Sequence, residues 1–446
     1  MDYTPHTDAD IQDMLQTIGV GSPEDLLAEI PQEVRCRSLN VPAGLSETEV
    51  LTLCEQLAAS NRSMHEFASF LGFGAAHHAI PTIVDALSAR GEWLTPYTPY
   101  QAEASQGTLQ MIYEFQTMIC ELMGMEVANA SLYDGASALA EAATLALRVT
   151  GRRRLLIGET VHPHYRQVVS TYVSGFPCVV QELPAASGVA DLEALSAALN
   201  DDVAAVILQQ PNVFGCLEPM EQAVAAAHQV GALGVASVSP ISLGLLQPPG
   251  AYGADIATAE GRSLGSPVAY GGPGLGLLTT TQALLRKIPG RIAGCTVDQS
   301  GRRSFTLTLQ TREQHIRREK ATSNVCTNEG WLCLRATIFL SFLGPEGFRE
   351  LAQLNAQKAH ELHSRLVELG FMKPLFDQPF FHEFAMRCLN DHTVEEINRK
   401  LLRQGLIGGL PIGRWYPHHP DASLWCATET IAQTDIDRLI DALKRL

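Results

Sequence analysis

The sequence predicts an α/β protein built on a mainly parallel sheet, with a smaller α/β domain at its carboxyl end. Two observations carry this prediction. Between residue 152 and about residue 280, short apolar runs alternate with segments of helical periodicity, which is typical of parallel strands joined by crossover helices. The 446 residues are 46% hydrophobic, which is enough for a sizeable core and for two or three domains.

The alternating region contains five apolar runs and three helical segments. The predicted strands are Leu155–Ile157, Cys178–Val180, Val203–Leu208, Leu233–Val238 and Ile256–Ala257. The predicted helices are Tyr165–Val173, Leu192–Leu199 and Met220–Gln229. Because ligands bind at the carboxyl ends of strands in such sheets, we expect a site formed by the loops around Tyr133–Ser137, Gln209–Gly215 and Glu260–Gly265.

The rest of the chain is organised around this region. Residues 1–65 form a predicted N-terminal helical arm, with an amphipathic segment at Asp8–Ile18 and a possible capping box at Ser46 and Glu49. Residues 66–330 form the predicted large domain. A long apolar helix, Trp331–Phe342, begins a predicted small domain at 331–446.

Composition excludes several classes of function. The net charge of -16 argues against a basic nucleic-acid surface, and no apolar run approaches the ~20 residues of a membrane helix. The ten cysteines are scattered and form no CxxC pair, which indicates a reducing compartment and supports no zinc site. We expect a cytoplasmic protein without metal, nucleic acid or membrane partners.

A short glycine- and serine-containing segment precedes the alanine-rich stretch Leu139–Val149. Asp134, Gly135 and Ser137 are phosphate-loop candidates, since small residues and a hydroxyl at a helix amino terminus can approach a phosphate. The alternative is a simple helix cap. The later glycine-rich segment Tyr270–Gly276 is predicted to be a sharp turn that leads into a strand, because it lacks a nucleotide-binding pattern.

Two further segments carry unusual polar side chains. Prolines hold Thr95–Gln101 extended, so that it either presents two phenols and an amide or is a rigid surface crossing. The charge-rich stretch Arg312–Lys320 predicts an exposed helix with ion pairs. It is followed by small polar residues up to Asn328, among which Cys326 could be a reactive thiol, although nothing in the sequence indicates that it is activated.

These segments resemble, in order and spacing, signatures of the α subunit of two-subunit glycine decarboxylases, the P-protein of the glycine cleavage system. The resemblance covers about residues 5–445. It is carried by Phe70–Gly74, Ile80-Pro81, Thr98–Gln101 with Glu103 and Ser105–Gly107, Asn129–Gly135, Tyr270–Pro273 and Arg312–Asn328.

The resemblance implies a fold-type I, aspartate aminotransferase-like architecture for enzymes dependent on pyridoxal phosphate (PLP), with a sheet of the seven-stranded type. It also implies an oxidoreductase subunit, glycine dehydrogenase (aminomethyl-transferring). With a lysine-bearing β subunit (subunit 2), the enzyme decarboxylates glycine via PLP, releases CO2 and transfers the aminomethyl group to the lipoyl arm of the H-protein. The expected assembly is an αβ pair or an α2β2 heterotetramer.

Two cofactor contacts that the resemblance leads us to expect are missing from this chain. A Schiff base needs a lysine near the end of the strand before the 260 loop, yet no lysine precedes Lys287. Ser239 stands where an acidic residue should hold the pyridine nitrogen. We therefore expect the β subunit to hold PLP, and the isolated chain to be inactive.

By the same resemblance, Tyr97 and Tyr100 are catalytic candidates that this chain contributes to the partner's site. Gln101, His78 and the segment Ser323–Asn328 are further candidates. One alternative is a non-catalytic regulatory or scaffold homologue of a fold-type I enzyme. Another is an independent PLP enzyme, such as an aminotransferase or a cysteine desulfurase, which the missing lysine disfavours.

Overall fold

The computed structural model describes residues 5–36, 38, 40–64, 66–96, 98–389 and 392–446. The chain forms two compact units, Met1–Ser63 and Met64–Leu446. The first contains helices α1 (Asp8–Ile18) and α2 (Glu47–Ala59), and each begins at a capping box. The predicted arm boundary at residue 65 lies outside the described residues, and the predicted boundary at residue 330 stays a prediction.

The second unit begins with strand β1 (Ala68–Ser69) and helices α3 (Thr82–Ser88) and α4 (Gln106–Met123). Apolar side chains at helical spacing form the buried face of α4. The buried apolar residues of this helix are Leu109, Met111, Ile112, Phe115, Ile119 and Met123.

A seven-stranded sheet forms the centre of this unit. Its strands are β2 (Val127–Ala128), β3 (Arg154–Gly158), β4 (Val179–Leu183), β5 (Val203–Gln210), β6 (Leu233–Val238), β7 (Ile256–Glu260) and β8 (Gly276–Thr280). Their spatial order is β2-β8-β7-β6-β5-β3-β4. Strands β3 to β7 run parallel, and β8 runs antiparallel to both β7 and β2. The predicted mainly parallel sheet is confirmed.

Helices cover both faces of the sheet. The crossover helices are α5 (Gly135–Thr150), α6 (Pro163–Val173), α7 (Leu192–Ala198) and α8 (Met220–Gln229). Strand β5 shows why its sequence is continuously apolar: Ala205 and Ile207 belong to the core on one face, while Val206 and Leu208 belong to the core on the other.

The segment after the sheet differs from its prediction. An antiparallel hairpin of β9 (Ile292–Val297) and β10 (Arg303–Thr308) comes first. The predicted exposed helix over Arg312–Lys320 is wrong, because the structure has only the short helix α9 (Gln314–Arg317) between 3-10 turns. Arg312 is buried there and donates hydrogen bonds to carbonyl groups that the irregular backbone leaves unpaired.

The carboxyl-terminal part begins with the long helix α10 (Gly330–Glu368), which is kinked at Gly344 before Pro345. The elements that follow are β11 (Met372–Pro374), β12 (Glu383–Cys388), α11 (Val394–Leu402), β13 (Leu406–Ile407), β14 (Leu410–Pro411), β15 (Ala422–Cys426) and α12 (Gln433–Leu443). Four of these strands form an antiparallel sheet in the order β11-β12-β15-β14. Within the described ranges, none of the helices combines the length and apolar character needed to span a bilayer.

Candidate functional site

A small cavity lies at the carboxyl ends of the central parallel strands, where the sequence predicts the site. Its volume is about 90 Å3, compared with roughly 300–1,000 Å3 for typical ligand pockets. The ends of β5, β6 and β7 line it with Gln209, Ser237, Val238, Ser239, Glu260, Arg262 and Ser263. Two of the predicted loops, Gln209–Gly215 and Glu260–Gly265, therefore meet around one space.

The phosphate-loop candidates form the amino terminus of helix α5. The Oδ1 atom of Asp134 accepts a hydrogen bond from the Ser137 amide at 2.7 Å, and the Ser137 Oγ atom lies 3.1 Å from the Asp134 amide nitrogen. This arrangement is a reciprocal capping box. The side chains of Asp134 and Ser137 are thus engaged with each other's backbone.

A carboxylate from the same chain occupies this helix terminus. Glu260 Oε2 accepts a hydrogen bond from the Gly135 amide, while Oε1 accepts from the amides of Arg262 and Leu275, all at 2.9 Å. A helix amino terminus stabilises negative charge. Because the side chain of Glu260 already supplies that charge, it stands where a phosphate group would need to bind.

The turn Gly72–Gly74 fills another side of the cavity. The amide of Phe73 donates to Glu383 Oε1 at 2.5 Å. The Phe73 ring packs against the rings of His162 and Trp415, with centroid separations of 4.1 and 4.5 Å. The cavity wall is therefore built from aromatic and backbone groups of the chain itself, and little space remains for a planar ligand.

Burial controls the ionisation of the groups around the cavity. It lowers the pKa of His162 to about 4 and that of His382 to about 3, so both imidazoles are neutral at pH 7. It raises the pKa of the Glu383 carboxyl to about 7. Neither histidine can supply a positive charge for an anionic ligand at neutral pH.

His78, a candidate from the sequence, also lines this cavity. Its Nδ1 atom lies 3.0 Å from Glu429 Oε2, which also accepts a hydrogen bond from the Asn355 side chain at 2.8 Å. Both His78 and Glu429 have nearly buried side chains. His78 is thus held by a hydrogen bond to an internal carboxyl group, and a role in catalysis stays a prediction.

The cavity lining does not fit PLP. No lysine is among the lining residues, and Lys287, the first lysine of the chain, is exposed in the turn after β8. Ser239 follows β6 at the cavity wall, where a pyridinium nitrogen would require an acid. Glu260 fills the phosphate end, and its charge would repel a phosphate group.

One group of side chains could in principle hold a metal. The possible ligand atoms of His382, Glu383 and Cys426 lie within 4.8 Å of one another, although no sequence spacing indicates this. Burial raises the pKa of the Cys426 thiol well above 9, and backbone hydrogen bonds from the turn already hold Glu383. The Nδ1 atom of His382 is buried without a hydrogen-bond partner, so the backbone contacts satisfy Glu383 but not the whole group.

A second region unites two other sequence candidates. Tyr100 and Gln101 line an open groove of about 810 Å3, while Tyr97 lies outside the described residues. The Tyr100 hydroxyl accepts a hydrogen bond from Arg291 Nη2 at 3.0 Å, and the same guanidinium donates to residues 326–328. The structure thus brings Tyr100 together with the segment Ser323–Asn328.

Sequence reasoning missed Arg291. It lies between Gly290 and strand β9, and its only local signal is a charged residue placed directly before an apolar pair. Its partners are distant in the sequence, so no spacing rule reveals them. Cys326 is exposed, and its backbone amide donates to the Tyr133 hydroxyl at 3.0 Å.

Comparisons with known proteins agree with this architecture. The family model described as "Glycine cleavage system P-protein" matches residues 1–443. A relative from Carboxydothermus hydrogenoformans, named probable glycine dehydrogenase (decarboxylating) subunit 1, is 48% identical over 444 residues and 99% of each chain. The relative of the same name from Thermomicrobium roseum is 48% identical over 446 residues, covering 100% of this chain and 99% of its own.

Solved structures place the fold in the same group. A crystal structure of glycine decarboxylase (P-protein) of the glycine cleavage system, in inhibitor-bound form, matches with a TM-score of 0.91, 46% identity and complete coverage of both chains. An alanine–glyoxylate aminotransferase from Nostoc sp. shares the fold alone, with a TM-score of 0.59, 16% identity and coverage of 93% and 98%. The chain has the fold-type I architecture of PLP-dependent enzymes and belongs to the glycine cleavage system P-protein family.

Proposed function

We propose that this chain is the cofactor-free half of a two-subunit glycine decarboxylase that acts in the cytoplasm. The complex removes CO2 from glycine and transfers the remaining aminomethyl group to the lipoyl arm of the H-protein. The observation that carries the proposal is the cavity at the strand ends. Glu260 and Phe73 narrow the space that a cofactor would need in this fold-type I unit, which supports a partner that holds the cofactor.

The partner in this proposal is subunit 2, which the family resemblance implies to carry the Schiff-base lysine. PLP, when bound there, supplies the electron sink for loss of CO2 from an amino acid. The naming of relatives as subunit 1 supports a second subunit. An α2β2 heterotetramer would contain two such shared sites.

The contribution of this chain is the surface around Tyr100. In our proposal, Tyr97, Tyr100 and Gln101 extend into the partner's glycine site. A phenol hydroxyl can donate a hydrogen bond to the glycine carboxylate, and its ring can exclude water from the reacting carbon. Tyr100 is 53% exposed, so its ring is accessible to a second subunit.

The test is reconstitution from separately purified subunits. Each subunit alone, and the mixture, is incubated with PLP, freed of unbound PLP by gel filtration, reduced with borohydride and digested for mass spectrometry. We expect the cofactor to be fixed only to the partner, and CO2 release from glycine only in the mixture with H-protein. Covalent PLP on a peptide of this chain would contradict the assignment of the cofactor.

A further inference from the structure

Arg291 is a buried guanidinium that connects three separate segments of the chain. Its side chain is only 4% exposed. Nη2 donates to the Tyr100 hydroxyl at 3.0 Å and to the Cys326 carbonyl at 2.6 Å. Nη1 donates to Thr327 Oγ1 at 3.1 Å and to Asn328 Oδ1 at 3.3 Å. Four hydrogen bonds from one rigid fork fix the relative positions of Tyr100 and residues 326–328.

The guanidinium also orders the aromatic surface above it. Its central carbon lies 5.4 Å from the centroid of the Tyr100 ring, a distance at which a cation and an aromatic ring attract each other. The His315 ring packs edge-on against Tyr100, with centroids 5.8 Å apart. The Tyr100 side chain, although about half exposed, is therefore held at both its hydroxyl and its ring.

The polar groups below Tyr100 are incompletely satisfied within this chain. Arg291 Nε, Glu313 Oε1 and Asn328 Nδ2 are buried without a hydrogen-bond partner, and Glu313 Oε2 lies 3.8 Å from Arg291 Nε. Buried polar atoms are nearly always paired in native proteins. The cluster thus has unused donors and an unused acceptor directly below the exposed Tyr100.

We infer that Arg291 is a positioning residue for glycine decarboxylation, acting through Tyr100. Because the Tyr100 oxygen accepts the guanidinium hydrogen bond, its own O–H is directed away from Arg291 and is free to donate to a carboxylate in the partner's site. A hydroxyl that accepts a bond from a cation is also a stronger donor, since chains of hydrogen bonds polarise one another. This role rests on the proposed function, in which Tyr100 reaches the glycine site.

The test is a double-mutant cycle in the reconstituted complex with H-protein, using Arg291→Lys, Tyr100→Phe and the double variant. Lysine keeps the charge but not the fork. We expect each single variant to lower kcat for glycine decarboxylation by ~10-fold, with a smaller change in KM. The double variant should be no slower than the slower single variant, because both remove the same interaction.

A matched control distinguishes positioning from general stability. Arg335 is a guanidinium buried to the same extent, with a side chain only 4% exposed. It donates to the Gly265 carbonyl at 2.8 Å and to Ser88 Oγ at 3.1 Å, in a part of the fold that shares none of these partners with Tyr100. Arg335→Lys should lower the midpoint of thermal unfolding, and any effect on kcat should multiply with that of Tyr100→Phe, since the two sites have no partner in common.

A second variant keeps the inference testable if Arg291→Lys fails to fold. Thr327→Val removes one acceptor of the guanidinium. It should lower kcat several-fold when Tyr100 is present, but should have no further effect when it is combined with Tyr100→Phe. The role of Arg291 would be overturned if the kcat losses of the two single variants multiplied in the double variant of either cycle. It would also be overturned if the Tyr100→Phe complex were as active as an active wild-type complex. A wild-type complex that assembles but releases no CO2 would instead refute the proposed function.

Discussion

Glu260 occupies the position at the amino terminus of helix α5 that a phosphate group would need. Its carboxylate accepts hydrogen bonds from three backbone amides, including that of Gly135 at the start of helix α5. Glu260→Ala should lower the free energy of unfolding by about 3 kcal/mol, because each buried amide left without an acceptor costs about 1–3 kcal/mol. Urea denaturation of the isolated chain measures this loss.

The same variant tests whether Glu260 occupies an anion site. Millimolar inorganic phosphate should raise the unfolding midpoint of Glu260→Ala more than that of the wild type, since a ligand that binds only the folded state stabilises it. Glu159→Ala is a matched control, because Glu159 also accepts one backbone hydrogen bond, from Ala185, away from helix α5. Equal phosphate responses in all three proteins would show that the helix terminus does not bind anions.

Glu383 should make stability depend on pH. Burial raises the pKa of its carboxyl from 4.5 to about 7, so between these values the folded chain binds more protons at this group than the unfolded chain does. Its contribution to stability therefore falls as pH rises through this window. Burial lowers the pKa values of His382 and His162. Their contribution to stability is therefore lost as pH falls below about 6.5.

Glu383→Gln isolates this contribution. The amide can still accept a hydrogen bond from Phe73 but never ionises. We expect the variant and the wild type to have similar unfolding midpoints near pH 5, and the variant to become progressively more stable than the wild type towards pH 8. A constant difference across that range, measured by thermal unfolding in matched buffers, would contradict a raised pKa for Glu383.

Residues near the site differ in how far the sequence alone could reveal them. The sequence alone reveals Ser239 and the absence of a lysine, because the end of a parallel strand is a predictable position. It does not reveal Glu260 and Arg291, because each acts through partners more than 100 residues away in the chain. Neither residue belongs to a recognisable local sequence pattern. Only the fold brings Glu260 to Gly135 and Arg291 to Tyr100.

At the scale of elements, the parallel strands and crossover helices were predictable, since continuous apolar runs and helical periodicity depend on local sequence. Helix α8 and strand β6 have their predicted bounds. The β9–β10 hairpin was missed because only Phe305 and Leu307 of β10 are buried. The charged stretch after the hairpin does not form the predicted helix, because the Arg312 side chain donates hydrogen bonds to the carbonyl groups of a distant segment instead of lying on an exposed helix face.

Helix α10 shows how one glycine sets the course of an element. The predicted helix stopped at Phe342, just before Gly344-Pro345, yet the structure continues to Glu368 across a kink. Gly344 has φ 61° and ψ -176°, a conformation that is essentially restricted to glycine. The kink lets the helix pass from the large sheet to the small sheet without ending.

Gly344→Ala should therefore destabilise the chain by about 1–3 kcal/mol. The cost is one of backbone conformation, because no atom lies within 4 Å of the added methyl group. Gly347→Ala is the control: it lies in the same helix without positive φ, and its methyl group would make only ordinary contact with Leu343 at 3.5 Å. We expect Gly347→Ala to be neutral or stabilising, and equal losses in both variants would refute the argument.

At the scale of the whole molecule, an apolar groove suggests where the partner binds. Helices α3, α4 and α10 form a groove of about 590 Å3. It is lined by Ile83, Leu87, Trp93, Met111, Leu334, Ile338 and Phe342. Trp93 and Gly107 also line the groove that contains Tyr100, so the apolar face and the proposed catalytic surface are continuous.

An obligate complex with subunit 2 should bury this face. Stable hetero-complexes of this kind bury of order 2,000 Å2 or more in total, and their central contacts exclude unpaired charge. Phe342 is 59% exposed, so Phe342→Asp should not disturb the core but should weaken association with subunit 2 by at least ~10-fold. Leu402→Asp, at a 53% exposed position of helix α11, should leave association unchanged. Sedimentation of each variant with subunit 2 measures the effect, and unaltered binding of Phe342→Asp would exclude this groove from the interface.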